Sequence, residues 1–350
     1  MLVFTNREIG PGSGASAFKR SFQPGGTRLA MADVTASGSG WKLQGIDDNV
    51  SQKGALDQLQ PMFQGAAPLL LYVHGNNNTP ADCFRRSADL QKLYPGCVVL
   101  AFSWASEGFL ADGSPLPGLS ANEGGGDEEE FSGVTPQNRT KGPIQNKIRR
   151  YRQAQTNARD SVDAFARMLR LLGTARLQAN AQPFSLAIHS LGGQLFQYSL
   201  QVPGATESAS TAHNVVLLAP CVRSSGHAEW LTRFRPKGRT YVTYNRGDSV
   251  LFAAYVADGE QTKLGTDPGP DLLHREGVRY ISFSDAPNDF GGHAYFVKSP
   301  TKAAKKLFSR LFASQVDFGL DESPKTVYPQ RCEPDGSVCY MAVPKQGDVA

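Results

Sequence analysis

The sequence predicts an α/β fold, a mostly parallel central sheet with helices on both faces, and two observations predict it. Short apolar runs rich in β-branched and aromatic residues alternate with helix-like stretches along most of the chain, the pattern of strands joined by crossover helices. Most of these runs are continuously apolar rather than alternating, as strands buried on both faces are. With 350 residues and 40% apolar content the chain can bury one enlarged core or two small ones. No internal repeat is present.

Residues 1–60 read as an extension, with "LVFTN" and "TRLAMADV" as edge strands among glycine and serine. The body, residues 61–318, contains the strands "LLLYVHG", "CVVLAFSW", "FSLAIHS", "NVVLLAP", "RTYVTYN" and "VRYISFS". Between the second and third of these, Val162, Phe165, Ala166, Leu169 and Leu172 recur at offsets of three and four, which predicts a helix with one apolar face. Ala303, Ala304, Leu307 and Leu311 repeat that spacing after the last strand. Residues 106–145 break the pattern with many glycines and prolines, the acidic run Asp127 to Glu130, and isolated Phe109, Leu110, Leu116, Leu119 and Phe131. A loop this long inside a compact domain reads as a lid-like insertion, its carboxylates solvated rather than converged on an ion. In the tail, 319–350, Cys332 and Cys339 flank the turn-rich "EPDGSV", so a hairpin would bring them together; a reducing cytosol argues against a disulfide there. Cys83, Cys97 and Cys221 read as buried thiols.

Composition excludes several function classes. Lysine and arginine number 36 against 32 acidic residues, and a net charge of +4 supplies no basic field for nucleic acid. The start, "MLVFTNREIGPG", lacks a secretory signal's basic lead and cleavage pattern. The longest apolar runs, such as "AAPLLLYV" and "VLFAAYVA", fall well short of the roughly 20 residues of a transmembrane span. The expectation is a cytoplasmic protein of undetermined oligomeric state.

The chemistry concentrates in "FSLAIHSLGGQLF", where Ser190 stands between a strand and a helix. Two readings fit that stretch alone: a helix cap, for which serine is preferred, or a nucleophile on a sharp turn. In the second, Gly192 and Gly193 permit the close approach such a turn needs, and Ile188 replaces the glycine that usually leads G-x-S-x-G. A serine nucleophile requires a base and an orienting acid. His293 in "FGGHAYF" and Asp248 in "NRGDSVL" follow in the order Ser, Asp, His, each where a loop leaves the carboxyl end of a strand. Asp285 rivals Asp248; an acid from a separate strand can approach the imidazole from behind, which favours Asp248. His189 neighbours the serine and should point elsewhere, His213 precedes a strand, His227 opens a helix, and His274 lies before the last strand. Oxyanion donors are expected from the N–H groups of Leu191 and of Asn76, in the strand-to-helix loop "YVHGNNNTPADCFRR".

Taken together, "VHGNNNT", "VLAFSWAS", "AIHSLGG", "VVLLAP", "NRGDSVL" and "GGHAYF" resemble the α/β-hydrolase superfamily, and within it a bacterial family of hydrolase-fold proteins with no assigned substrate. The resemblance spans Leu69 to Phe312 and implies an α/β-hydrolase fold with Ser190 as nucleophile, His293 as base and Asp248 as its orienting acid. The expected activity is a serine hydrolase cleaving an ester or related acyl substrate, small molecule or lipid, through an acyl-enzyme, with no cofactor and no metal. The alternatives are an inactive hydrolase-fold binding protein and a membrane-docking, lipase-like enzyme with Phe109, Leu110 and Phe131 on an apolar lid.

Overall fold

The computed structural model describes residues 1–120, 133–274, 277–284, 286, 292–317, 330–332 and 338–341. In chain order the elements are β1 (Leu2–Thr5), β2 (Arg7–Ile9), β3 (Phe18–Phe22), β4 (Ala30–Ser37), β5 (Gly40–Asp47), α1 (Gln52–Phe63), β6 (Leu69–Val73), α2 (Pro80–Leu93) and β7 (Val98–Ser103). There follow α3 (Gly142–Asp160), α4 (Val162–Ala179), β8 (Phe184–His189), α5 (Gly192–Ser199), α6 (Ala205–Ser210), β9 (Val215–Leu218), α7 (His227–Leu231), β10 (Thr240–Tyr244), α8 (Ser249–Ala257), β11 (Val278–Ser282), α9 (Lys302–Phe312), β12 (Gln330–Cys332) and β13 (Val338–Met341).

Among the described residues, eleven strands form one sheet in the order β12-β13-β11-β10-β9-β8-β6-β7-β1-β4-β5, and β2 and β3 form a separate pair. The run from β13 through β1 is parallel throughout; β12, β4 and β5 are antiparallel to their neighbours. The strands β6, β8, β9, β10 and β11 are buried along their whole length, which is why they read as unbroken apolar runs.

Helices cover both faces. Val3 and Ala101 pack with Cys83 and Phe84 of α2, whereas their strand neighbours Phe4 and Phe102 join the cluster containing Phe165 of α4, with the Phe102 and Phe165 rings 4.9 Å apart. Successive side chains of a strand point to opposite faces, so α2 and α4 lie on opposite sides. The start of α2 is fixed by its own sequence: Pro80 occupies the first turn, and Thr79 and Asp82 satisfy each other's backbone N–H groups. Among the described residues no helix is long and apolar enough to cross a membrane.

Four expectations need correction. First, neither β1 nor β4 is an edge strand; β1 lies between β7 and β4, β4 lies between β1 and β5, and β5 takes the edge. The four residues of β1 are all buried, as an interior position requires. Second, among the described residues two helices rather than one lie between β7 and β8. The charged α3 buries only Ile148, Tyr151, Ala154, Asn157 and Ala158, too few large apolar residues to make a legible stripe, and it begins within the segment read as an insertion. Third, Phe109 is a packed residue. The Arg20 guanidinium lies 4.2 Å above its ring, and its carbonyl accepts from Asn157 Nδ2 at 2.9 Å. Phe131 and the acidic run lie outside the described residues. Fourth, the tail hairpin pairs Cys332 opposite Cys339, and Cys339 is disulfide-bonded, against the argument from a reducing cytosol that had left the pairing open. Cys83, Cys97 and Cys221 are buried and form no disulfide, as expected.

Candidate active site

The parallel register brings the ends of several strands level. Val73 of β6 pairs with both Phe102 of β7 and Ile188 of β8, and Leu217, Val242 and Tyr280 continue that row across β9 to β11, with His189, Leu218, Thr243 and Ile281 forming the next row. The loops that follow β6, β8, β10 and β11 therefore leave the same edge of the sheet. The chain passes from β6 to β7 on one side and returns to β8 on the other, and ligands of open α/β sheets bind at such a switch point.

Ser190 occupies the single bend between β8 and α5 at φ 51°, a left-handed conformation that costs a non-glycine residue of the order of 1 kcal/mol and persists only where the surroundings fix it. They do so here. The Ser190 N–H donates to the Leu218 carbonyl at 2.9 Å, and its own carbonyl accepts from Gly193 and Cys221. The residue capping α5 is Leu191, with no side-chain cap, so the cap reading of Ser190 is not met. A Cβ on Gly192 would stand 2.7 Å from the His74 carbonyl oxygen; only glycine lets the loop after β6 approach the elbow so closely.

Asp248 and His293 come together from the loops after β10 and β11. His293 Nδ1 lies 2.7 Å from Asp248 Oδ2, both side chains being buried. A carboxylate only accepts, so Nδ1 carries the proton and Nε2 is left as the basic nitrogen. The other oxygen, Oδ1, accepts from the Leu251 N–H at 2.9 Å and caps α8. Burial raises the Asp248 carboxyl above its ordinary value, against the pull of the His293 ring and its hydrogen bonds. Asp285 lies outside the described residues.

Two neighbours escaped the sequence reading. Asn245 donates through Nδ2 to the Gly292 carbonyl at 2.8 Å and accepts from the Gly247 N–H at 2.9 Å; it ties the loop of Asp248 to the loop of His293. Its signal was its place, directly after β10 in an Asn-Arg-Gly-Asp turn. His189 was expected to point away, yet its ring packs 4.7 Å from the His293 ring and 4.9 Å from that of Phe296. A strand places alternate side chains on alternate faces, and at this position the face is the one His293 covers. Burial, then the nearby His293, holds His189 well below the ordinary imidazole value and so neutral. His227 stands elsewhere, held between the Ser224 carbonyl and the Tyr280 hydroxyl.

The loop after β6 carries Asn76. Its base is held by Trp104, whose backbone N–H donates to His74 Nε2 at 3.1 Å and whose Nε1 donates to the His74 carbonyl at 3.0 Å, the two rings lying stacked. Asn77 takes φ 51° and donates to the Ser106 carbonyl at 2.8 Å. Among the described residues neither the Asn76 N–H nor the Leu191 N–H meets an acceptor, and the second sits at the amino end of α5, where the helix favours negative charge. A cavity of about 500 Å³ opens beside the start of α2, walled by Phe18, Lys19, Thr79 and Glu107 among others, and includes neither Ser190 nor His293.

A family model described as alpha/beta hydrolase of unknown function (DUF900) matches residues 61–310. No curated protein matches the chain.

Proposed function

Because the chain belongs to this family of α/β hydrolases, we propose that it is a serine hydrolase acting on an ester or related acyl bond. The observation that carries the reading is the buried 2.7 Å contact between His293 Nδ1 and Asp248 Oδ2, made at the sheet edge where Ser190 is held in a left-handed bend. In this reading His293 Nε2 takes the Ser190 hydroxyl proton as Oγ attacks the acyl carbon, and Asp248 stabilises the imidazolium that forms. The Asn76 and Leu191 N–H groups receive the developing oxyanion. His293 returns the proton to the leaving alcohol; a water deprotonated by the same nitrogen then attacks the acyl-enzyme, and that proton passes to Ser190 Oγ as the ester bond breaks, releasing the acid. The residues named need no cofactor for these steps.

A fluorophosphonate probe tests the reading. Ser190 should be labelled stoichiometrically in the native protein and not after unfolding, and Ser190→Ala should abolish labelling and hydrolysis of p-nitrophenyl acetate together. Folded protein that neither labels nor hydrolyses would favour a binding protein. A chain-length series of p-nitrophenyl esters, run with and without vesicles, separates a small-ester substrate from a lipid one.

A further inference from the structure

We infer that the N-terminal segment belongs to the catalytic apparatus: through Arg7 it positions the loop that bears the Asn76 oxyanion donor. The inference rests on the hydrolase reading and concerns a segment outside the family match, which begins at residue 61.

β1 lies parallel beside β7, with Thr5 opposite Ser103, and delivers Arg7 to the place where the chain leaves β7. The Arg7 side chain is fully buried. Its Nη1 and Nη2 reach the two carboxylate oxygens of Glu107 at 3.0 and 2.6 Å, a two-pronged match of planar groups that a lysine cannot make. The fork does more than pair a charge. Nη2 also donates to the Trp104 carbonyl at 2.6 Å and, through a shared hydrogen, to the Asn78 carbonyl at 3.3 Å, and Nη1 donates to the Lys19 carbonyl at 3.2 Å.

The Trp104 and Asn78 carbonyls hold the two sides of the donor. Trp104 grips His74, two residues before Asn76, and Asn78 follows two residues after it. Ser106 closes the arrangement, its Oγ accepting from the Asn78 N–H at 2.9 Å and donating to the Asn78 carbonyl at 3.1 Å. One guanidinium therefore ties both ends of a loop whose middle residue, Asn77, is held in a left-handed conformation that needs such support. A donor fixed before reaction contributes fully to transition-state stabilisation, and displacements of about 1 Å can cost about 10²-fold in rate. Arg7 touches neither substrate nor reacting atoms in this scheme; it is a positioning residue.

The test compares wild type with R7K, S106A and the double variant R7M/E107M, which removes both charges and leaves no unpaired buried ion. Rates are expressed per active site titrated with the fluorophosphonate. The expected result is a fall in kcat on p-nitrophenyl acetate on the order of 10²-fold in the double variant, with KM nearly unchanged. R7K and S106A should fall in between, and the acidic limb of the pH profile, set by His293, should stay where it is. A role confined to stability would lower the thermal midpoint and leave kcat per titrated site alone, which overturns the inference. So would a displaced acidic limb, because the perturbation would then act through the triad. If wild type itself does not react at Ser190, the hydrolase reading falls and takes this one with it; if wild type reacts and all three variants match it, only this one falls.

Discussion

Gly192 and Gly193 are adjacent, both helical, and should answer differently to the same substitution. Alanine at either position gains up to about 1 kcal/mol of helix propensity. At Gly193 the new methyl would meet Val222 Cγ1 at 3.3 Å and Pro220 Cβ at 3.4 Å, side-chain atoms that yield by a few tenths of an ångström. At Gly192 it would meet the His74 carbonyl oxygen at 2.7 Å and the Val73 carbonyl oxygen at 3.3 Å. Restoring an ordinary 3.4 Å contact requires the loop and the helix start to part by about 0.7 Å, close to the displacement that costs about 10²-fold in rate. The same movement stretches the bond from Trp104 Nε1 to the His74 carbonyl, worth about 1 kcal/mol, so the helix-propensity gain is offset. Because Leu191 and Asn76 flank this contact, the two proposed oxyanion donors separate. G192A should therefore lose between about 10- and 10²-fold in kcat per titrated Ser190, with a thermal midpoint at or slightly below that of wild type. G193A should keep its activity. Equal activities for the two variants, or greater damage at Gly193, would refute the reasoning.

Relief of the left-handed strain makes S190G more stable than S190A, by up to about 1 kcal/mol on denaturant titration, while neither is labelled. D248N should lower kcat by a factor on the order of 10⁴ with its thermal midpoint preserved, since asparagine caps a helix as well as aspartate; D248A should lose the same activity and about 1 kcal/mol of stability besides. His189 titrates below its ordinary value of 6.5 when folded, so the unfolded chain binds the extra proton first. Its contribution to stability is complete above about pH 6.5 and is lost as pH falls below it. The thermal midpoint should therefore drop between about pH 7 and pH 5, and less steeply in H189N; an unchanged slope would contradict the placement of His189. The raised Asp248 carboxyl acts in the opposite sense, its burial cost growing as pH climbs above 3.8.

The interior of the sheet was legible because its chemistry is local. Each of the six strands read from the body of the chain is found, since burial on both faces demands an uninterrupted apolar run. The proposed site residues Ser190, Asp248 and His293 could be named for a related reason: each follows such a run, and parallel strands bring those ends to one edge. What the sequence hid depends on distant partners. Arg7 stands out as a charge after an apolar strand, but its carboxylate lies 100 residues away. α3 buries only two large side chains, Ile148 and Tyr151, with the small Ala154 and Ala158 and the polar Asn157 completing its face, a stripe too thin to stand out among its charges. β1 looked peripheral because it comes first, whereas its place depends on β7, which no local pattern near residue 1 reveals.

The position of β1 between β7 and β4 also sets an order of assembly. β1, β4 and β5 can form an antiparallel ribbon from the first 47 residues, before any of the parallel strands has been synthesised. Its open side must then wait for β7, across a separation of 98 residues between Thr5 and Ser103, and contacts of such range form slowly. During that interval an apolar edge stands exposed to other chains. Pulse-labelled hydrogen exchange should find the β4 and β5 amides protected earlier than those of β6 and β8. The yield of folded protein should then depend on how soon β7 follows the ribbon, with slow translation between them favouring aggregation over closure of the sheet.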